Sequence, residues 1–325
     1  MSLEFLISKI QKNNFLLIGR AGIDIYPDPP GTKTENAKKY VSHLGGSSAN
    51  MGVQLSKYGA SCSILTRVSN DALGKFVLNQ LDYFNINKEL VKLEDNESRV
   101  SFAIVETTIE DHQSIIYRHK AADLFLNKSD IKIANIENYE CILISGTSLA
   151  AEPSRSSVLY ALELAKENNI PVIMDVDYRP YTWESEKKAK QIYNLAAEKC
   201  SGIIGNDDEF AVLSGNYKNA LKYAEKLSSN CDLVIYKMGE KGSITYANNK
   251  KITKGIFPVK PLKPTGAGDA FMGSLIGALM KKYDLEKALE IGSAAAAIVV
   301  TKVGCAPAMP NLEEILEFMR TNTIN

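Results

Sequence analysis

The chain has 325 residues, 45% apolar and 23% charged, which are ordinary globular proportions. Its 38 Lys and Arg balance 38 Asp and Glu, so no global charge points to nucleic acid or a membrane surface. Five dispersed cysteines without a CxxC pair and three histidines without an HxxxH spacing argue against a zinc site and for a reducing compartment.

The first residues, MSLEFLISKIQKNNFLLIG, lack the basic start, unbroken apolar core and cleavage site of a secretory signal. No run of 18 apolar residues occurs, so a cytoplasmic protein is expected. FLLIGRA (15–21) predicts the first strand. Residues 22–43 then alternate in polarity without a helical period. SSANMGVQLSKYG (47–59) predicts a helix that Gly59 can close, and CSILTRV (62–68) a second strand. Residues 98–120 alternate again and predict a hairpin turning at Glu110-Asp111. CILISG (141–146) predicts a strand. SRSSVLYALELAKENN (154–169) predicts a helix opened by Pro153 or Ser154. PVIMDVD (171–177), helix 186–199, SGIIG (201–205) and LVIYKM (233–238) continue the rhythm. An extended segment, 255–262, leads to a helix from about Asp269 to Lys281.

Short strands apolar on both faces suit a buried parallel sheet. Their alternation with helices predicts an α/β fold, a doubly wound, mostly parallel sheet flanked by helices. The simplest organisation is one domain over 1–325. The alternating segments 22–43 and 98–120 suit a small half-exposed sheet, either a lid or an antiparallel edge extension.

The stretch TGAGD (265–269) carries the strongest chemical signal. Gly266 and Gly268 leave amides uncovered where a helix begins, and unpaired N–H groups there favour anions. Asp269 follows directly. Beside a phosphate site a carboxylate suits one task, receiving the proton of a hydroxyl that attacks phosphorus. Gly266, Ala267 and Gly268 would then hold the transferring group. The same pattern also fits a plain glycine turn with an acid in a helix's first turn. Upstream, HLGGSSAN places Gly45-Gly46 before another helix start, with Asn50 in its first turn. A diglycine admits a hydroxyl-rich ligand close to the backbone, and Asn both donates and accepts. Ser47 or Ser48 could equally be a simple cap.

These two segments, in this order and about 220 residues apart, resemble the signatures of the ribokinase-like (PfkB-type) carbohydrate kinases. The resemblance spans about Phe15 to Pro310. It implies a ribokinase-like fold with a β-sheet lid, ATP and Mg²⁺ as cofactors, and Asp269 as catalytic base. GRAGIDIY resembles the family's first strand and its substrate-gripping acid, here Asp24. NDDE resembles the NxxE element, which implies Asn206 on the nucleotide side and Glu209 holding Mg²⁺ through water. KMGEKGS implies Lys237, Gly239 and Gly242 on the nucleotide. SAAAAIVVTKVGCAPAMP, from Ser293, resembles the wall of the adenine pocket; its alanines also suit close helix packing.

Two arginines bear on the substrate. Arg118 ends a lid strand and Arg179 lies just past a sheet strand, where ligands of open α/β sheets bind. A guanidinium is a fork for a carboxylate, so both point to a sugar acid, unless Asp123 or Asp177 takes them. ISGTSLAAEPSR, DYRPYTWES and VKPLKPTGAGD resemble the sugar-acid kinases of the family, in particular one serving myo-inositol breakdown, acting on a 6-hydroxyl. A 2-keto-3-deoxygluconate kinase, or a neutral-sugar (fructokinase or ribokinase type) or nucleoside kinase, is the alternative, and retention of Asp269 weighs against a non-catalytic sensor. Many members have an acid where this chain has Lys263, and there it helps bind a monovalent cation. The substitution implies that a fixed ammonium replaces the ion, so that K⁺ is not required, unless Lys263 points into solvent. A lid with an apolar outer face also suits a homodimer formed through it.

Overall fold

The computed structural model describes residues 2–95 and 97–325. Its strands are β1 (Asn14–Ile18), β2 (Gly22–Asp28), β3 (Lys39–Gly45), β4 (Ser61–Ser69), β5 (Val91–Glu94), β6 (Phe102–Val105) and β7 (Ser114–Tyr117). They continue with β8 (Cys141–Ser145), β9 (Val172–Asp175), β10 (Gly202–Asn206), β11 (Leu233–Lys237), β12 (Ser243–Ala247) and β13 (Lys250–Lys254). Nine of them form one sheet in the order β13-β12-β11-β10-β9-β8-β1-β4-β5. From β11 to β5 every pairing is parallel, and β12 and β13 add an antiparallel hairpin at one edge.

Strand alternation explains why both faces are dry. On β1, Phe15 and Leu17 join one core while Leu16 and Ile18 join the other. On β8, Cys141 and Leu143 alternate with Ile142 and Ile144 in the same way. Each of the six strands expected from the sequence is present, with no end moved by more than three residues. The expected helices run Ser47–Ser56, Ser154–Glu167, Glu186–Ala197 and Ala267–Met280.

The helix Ala267–Met280 is apolar all round, and every residue from Ala270 to Met280 is buried. A Cβ on Gly273 would lie 2.6 Å from Gln54, and one on Gly277 would lie 2.6 Å from the ring of Tyr58. The two glycines therefore let the helix Ser47–Ser56 pack close against this one. That packing carries Asn50 to Asp269.

The two alternating segments pair with each other rather than with an edge of the large sheet. They form a separate four-stranded sheet in the order β3-β2-β6-β7. β2 pairs antiparallel with β3 and parallel with β6, and β7 closes a hairpin with β6 across residues 106–113. One face of this sheet, carrying Asp24, Ala103, Val105 and Ile116, looks onto the carboxyl ends of the large sheet's central strands. β1 sits between β4 and β8, where the strand order reverses, the usual ligand position in such sheets.

Candidate active site

Between the small sheet and those strand ends lies a cavity of about 940 Å³, near the upper end of the range for small-molecule sites and roomy enough for two ligands side by side. The turn before the helix Ala267–Met280 forms its floor. Gly266 has φ +85° and caps the helix without a side-chain hydrogen bond. A Cβ there would lie 2.9 Å from Cys305 Sγ, so glycine serves both the backbone angle and the close contact. The helix thus starts with free amides facing the cavity.

Asp269 sits in the first turn and lines the cavity. Its Oδ2 accepts a hydrogen bond from Asn50 Nδ2 at 2.8 Å. Burial, with the nearby Asp177 charge, pushes its pKa up to about 7, against the pull of Asn50 and Arg179. Asn50 Oδ1 is buried and has no partner, so one acceptor remains in the cavity wall beside the carboxylate.

Around them the strand ends bring further charges. Asp24, from β2, is buried; burial raises its pKa, and Arg20 and Lys263 oppose the rise. Lys237, ending β11, stands 3.9 Å from Asp175 Oδ1 and 3.3 Å from the place where a Cβ on Gly268 would be. Its ammonium therefore lies beside the glycine turn. Asn206 and Glu209 cap the next helix reciprocally. Glu209 N donates to Asn206 Oδ1 at 2.9 Å and Asn206 N to Glu209 Oε2 at 2.7 Å. Burial raises both Glu209 and Asp175, the latter well above the usual carboxylate range. Gly239 and Gly242 border the same end, and Ser293 donates to Gly255 O at 3.3 Å from the wall formed by the helix Leu285–Val300.

Three expected substrate residues are placed differently. The diglycine does not line the cavity. A Cβ on Gly45 would fall 2.1 Å from Asp24 Oδ1, and one on Gly46 would fall 2.4 Å from Arg20 O. The room that these glycines leave is filled by the protein itself. Arg118 is buried against Asp123, and its Nη1 donates to Thr147 O at 2.8 Å. It borders a separate cavity behind the small sheet rather than the one holding Asp269. The expected exception, a protein acid taking the arginine, is what occurs there. Arg179 does line the main cavity, but its Nη2 is 2.6 Å from Asp177 Oδ1. Asp177 also accepts from Ser145 Oγ at 2.8 Å and from Ser47 Oγ. Burial would raise its carboxyl, yet Arg179 and the two serines outweigh that and hold it below its usual value.

Lys263 does not point into solvent. It is 0% exposed, and its Nζ donates to Thr265 O at 2.6 Å and Val299 O at 3.3 Å. The sequence reading passed over Asp175 and Arg20. The DVD text could have flagged the first, because it sets two acids at the carboxyl end of an expected strand, where ligands of such sheets bind.

The chain matches the model of the pfkB family of carbohydrate kinases over residues 12–312. It is 36% identical over 312 residues to proteins named 5-dehydro-2-deoxygluconokinase from Photobacterium profundum and Geobacillus kaustophilus, covering 94% of this chain and 94% and 93% of theirs. Among solved structures, a double-mutant fructokinase from Vibrio cholerae, bound to fructose, ADP and a potassium ion, superposes with TM-score 0.82 at 24% identity, covering 94% of this chain and 98% of that one. A chain from Escherichia coli solved with ATP and Mg²⁺ superposes with TM-score 0.83 at 22% identity, covering 95% and 99%. The glycine turn with its half-buried acid, the two-sheet architecture and these matches agree, and this chain belongs to the pfkB family of carbohydrate kinases.

Proposed function

We propose that the chain, acting as one kinase domain over 1–325, transfers the γ-phosphoryl group of ATP to the 6-hydroxyl of 5-dehydro-2-deoxy-D-gluconate. The relatives bearing that activity in their names support the substrate. The observation that carries the chemistry is Asp269, a half-buried carboxylate whose pKa is pushed up to about 7, beside uncapped helix amides. In its ionised form Asp269 takes the proton of the 6-hydroxyl, whose oxygen attacks the γ-phosphorus as the bond to the ADP oxygen breaks. The amides of Gly266, Ala267 and Gly268 hold the phosphoryl oxygens, and the Lys237 ammonium adds positive charge on the same side. Asn50 orients Asp269, while Asp24 and Arg179 grip the sugar. Asn206, Gly239, Gly242 and Ser293 frame the nucleotide end.

Buried Glu209 and Asp175 place two carboxyl groups at that end, which a hydrated divalent cation would hold in their ionised form. Mg²⁺ keeps most of its waters and takes one or two carboxylates with substrate phosphates, so no larger ligand cluster is needed. Mg²⁺ shields phosphate charge when bound, and Glu209 would hold it through water. Buried Lys263, with its Nζ on the carbonyls of Thr265 and Val299, supports a kinase in which a fixed ammonium does the work of a monovalent ion and K⁺ is not required. Five buried, unpaired cysteines support a reducing compartment such as the cytoplasm. Among the described residues no helix is long and apolar enough to cross a membrane.

The outer face of the small sheet supports a homodimer. Register places Ile25, Tyr40, Phe102, Ile104, Ile115 and Tyr117 on that face. Tyr117 is 50% exposed and stacks on Phe102 at 4.7 Å. An exposed apolar sheet face of this kind marks an interaction surface. Sedimentation equilibrium should show a dimer that an Ile115→Asp, Tyr117→Asp variant splits; a monomeric wild type at micromolar concentration would dismiss the dimer.

The substrate is tested by a coupled ADP-release assay over 5-dehydro-2-deoxy-D-gluconate, 2-keto-3-deoxygluconate, fructose and ribose. We expect kcat/KM to be at least roughly tenfold higher for the first, since a pocket aimed at particular polar groups rejects analogues that lack them. A preference for fructose or ribose would overturn the sugar-acid reading and leave a neutral-sugar kinase.

A further inference from the structure

The cavity holds one more cation, which none of the roles above employs. Arg20 lies two residues past β1, lines the cavity and is only 7% exposed. A guanidinium has five N–H donors. The structure satisfies one of them weakly, Nη1 to Ser101 Oγ at 3.5 Å. Among the described residues no carboxylate lies within ion-pair distance of it. The other basic groups of the region are already engaged: Arg179 by Asp177, Arg118 by Asp123, Lys237 by Asp175 and Lys263 by two carbonyls. A buried charge without contact compensation is costly unless something completes it.

Its position within the cavity says what would complete it. Arg20 is the leading favourable charge acting on Asp24, and it also acts on Asp177. Its one side-chain contact, Ser101, directly precedes β6, so the guanidinium stands on the small-sheet side of the cavity with Asp24. A six-carbon acid that offers its 6-hydroxyl to Asp269 carries its C1 carboxylate at the opposite end of the molecule. A guanidinium fork with free donors matches a carboxylate in charge and in geometry.

We infer that Arg20 receives the C1 carboxylate of the substrate and sets the preference of this kinase for sugar acids over neutral sugars. The inference rests on the sugar-acid reading above. It assigns recognition to Arg20, while Arg179, neutralised by Asp177, contacts the sugar without deciding its charge.

The test compares kcat/KM for 5-dehydro-2-deoxy-D-gluconate and for its C1 carboxamide, an almost isosteric neutral probe, in the wild type, Arg20→Met and Arg20→Lys. The wild type should favour the acid. Arg20→Met should lower the acid-to-amide ratio by roughly 100-fold, the scale for truncating one partner of a buried charge pair, and mostly through KM. Arg20→Lys keeps the charge, loses the fork and should fall between them; should Arg20→Met fail to fold, a drop of at least roughly tenfold in Arg20→Lys carries the inference. Equal losses on acid and amide would overturn it and make Arg20 a support for Asp24. A ratio unchanged in both variants would overturn it while leaving the sugar-acid reading intact. A wild type indifferent to acid or amide would remove that reading and this inference together.

Discussion

Replacing Asp269 with Asn is expected to lower kcat by roughly 10³-fold, within the usual range for removing a positioned base, while ADP and sugar still bind. Asn keeps the size and can still meet Asn50, but it cannot take the proton. The wild-type rate should carry a matching signature. Asp269 works only when ionised, and burial with the Asp177 charge holds its pKa near 7. So kcat/KM should climb about tenfold per pH unit below 7 and level off above it, and the variant should lose that limb. Stability should move the other way. The folded-state pKa of about 7 lies above the ordinary aspartate value of 3.8. The contribution of this group is therefore full below about pH 4 and is lost as pH rises through 7. At pH 8 the Asn variant should melt roughly 2 °C or more above the wild type, and near pH 4 the difference should vanish. Near-normal turnover of the variant would remove Asp269 from the chemistry.

The second large effect is expected at Lys263. Its ammonium lies behind the glycine turn, bound to the carbonyls of Thr265 and Val299. A unit charge one shell from a migrating phosphoryl group is worth roughly 2–3 kcal/mol at the effective dielectric of a protein site. Lys263→Ala should therefore cost roughly 100-fold in kcat/KM in buffer free of K⁺. The truncation also leaves two carbonyl oxygens around a vacated space. Added K⁺ should restore part of the lost activity, whereas the wild type should change less than about twofold between K⁺ and a large organic cation at constant ionic strength. Strong stimulation of the wild type by K⁺ would show that Lys263 does not replace the ion. A variant as active as the wild type without K⁺ would show that the charge is idle.

Much of the fold was legible because burial on both faces leaves a plain trace. Strands such as CILIS and LVIYK are apolar runs between polar boundaries, and only a sheet covered on both sides accepts them. The small sheet was legible from alternation in 22–43 and 98–120, although its strand order and register were not, since β2 meets β6 across more than 70 residues. The hairpin β12–β13 was missed. Lys250 to Lys254 look like a solvated loop, and as an exposed edge strand they owe their shape to backbone bonds with β12 rather than to any apolar pattern. Within the site, the glycine turn and Asp269 were legible because they are contiguous and their chemistry is local. Arg118 misled because a guanidinium near a cleft reads alike whether it faces substrate or Asp123. Arg20 was passed over for a related reason. Its value lies in the partner it lacks, and a missing partner leaves no mark in a string of letters.

The contact between Gly45 and Asp24 bears on how such strings are compared. Every amino acid one nucleotide change from glycine brings a Cβ, and here any Cβ would collide with the neighbouring carboxylate. Selection on the joint between these two strands is therefore enough to hold the position, whatever molecule enters and whether or not any catalysis occurs. In a descendant that had abandoned phosphate chemistry the pair of glycines would survive as architecture, and the first letter free to drift would be the aspartate at 269.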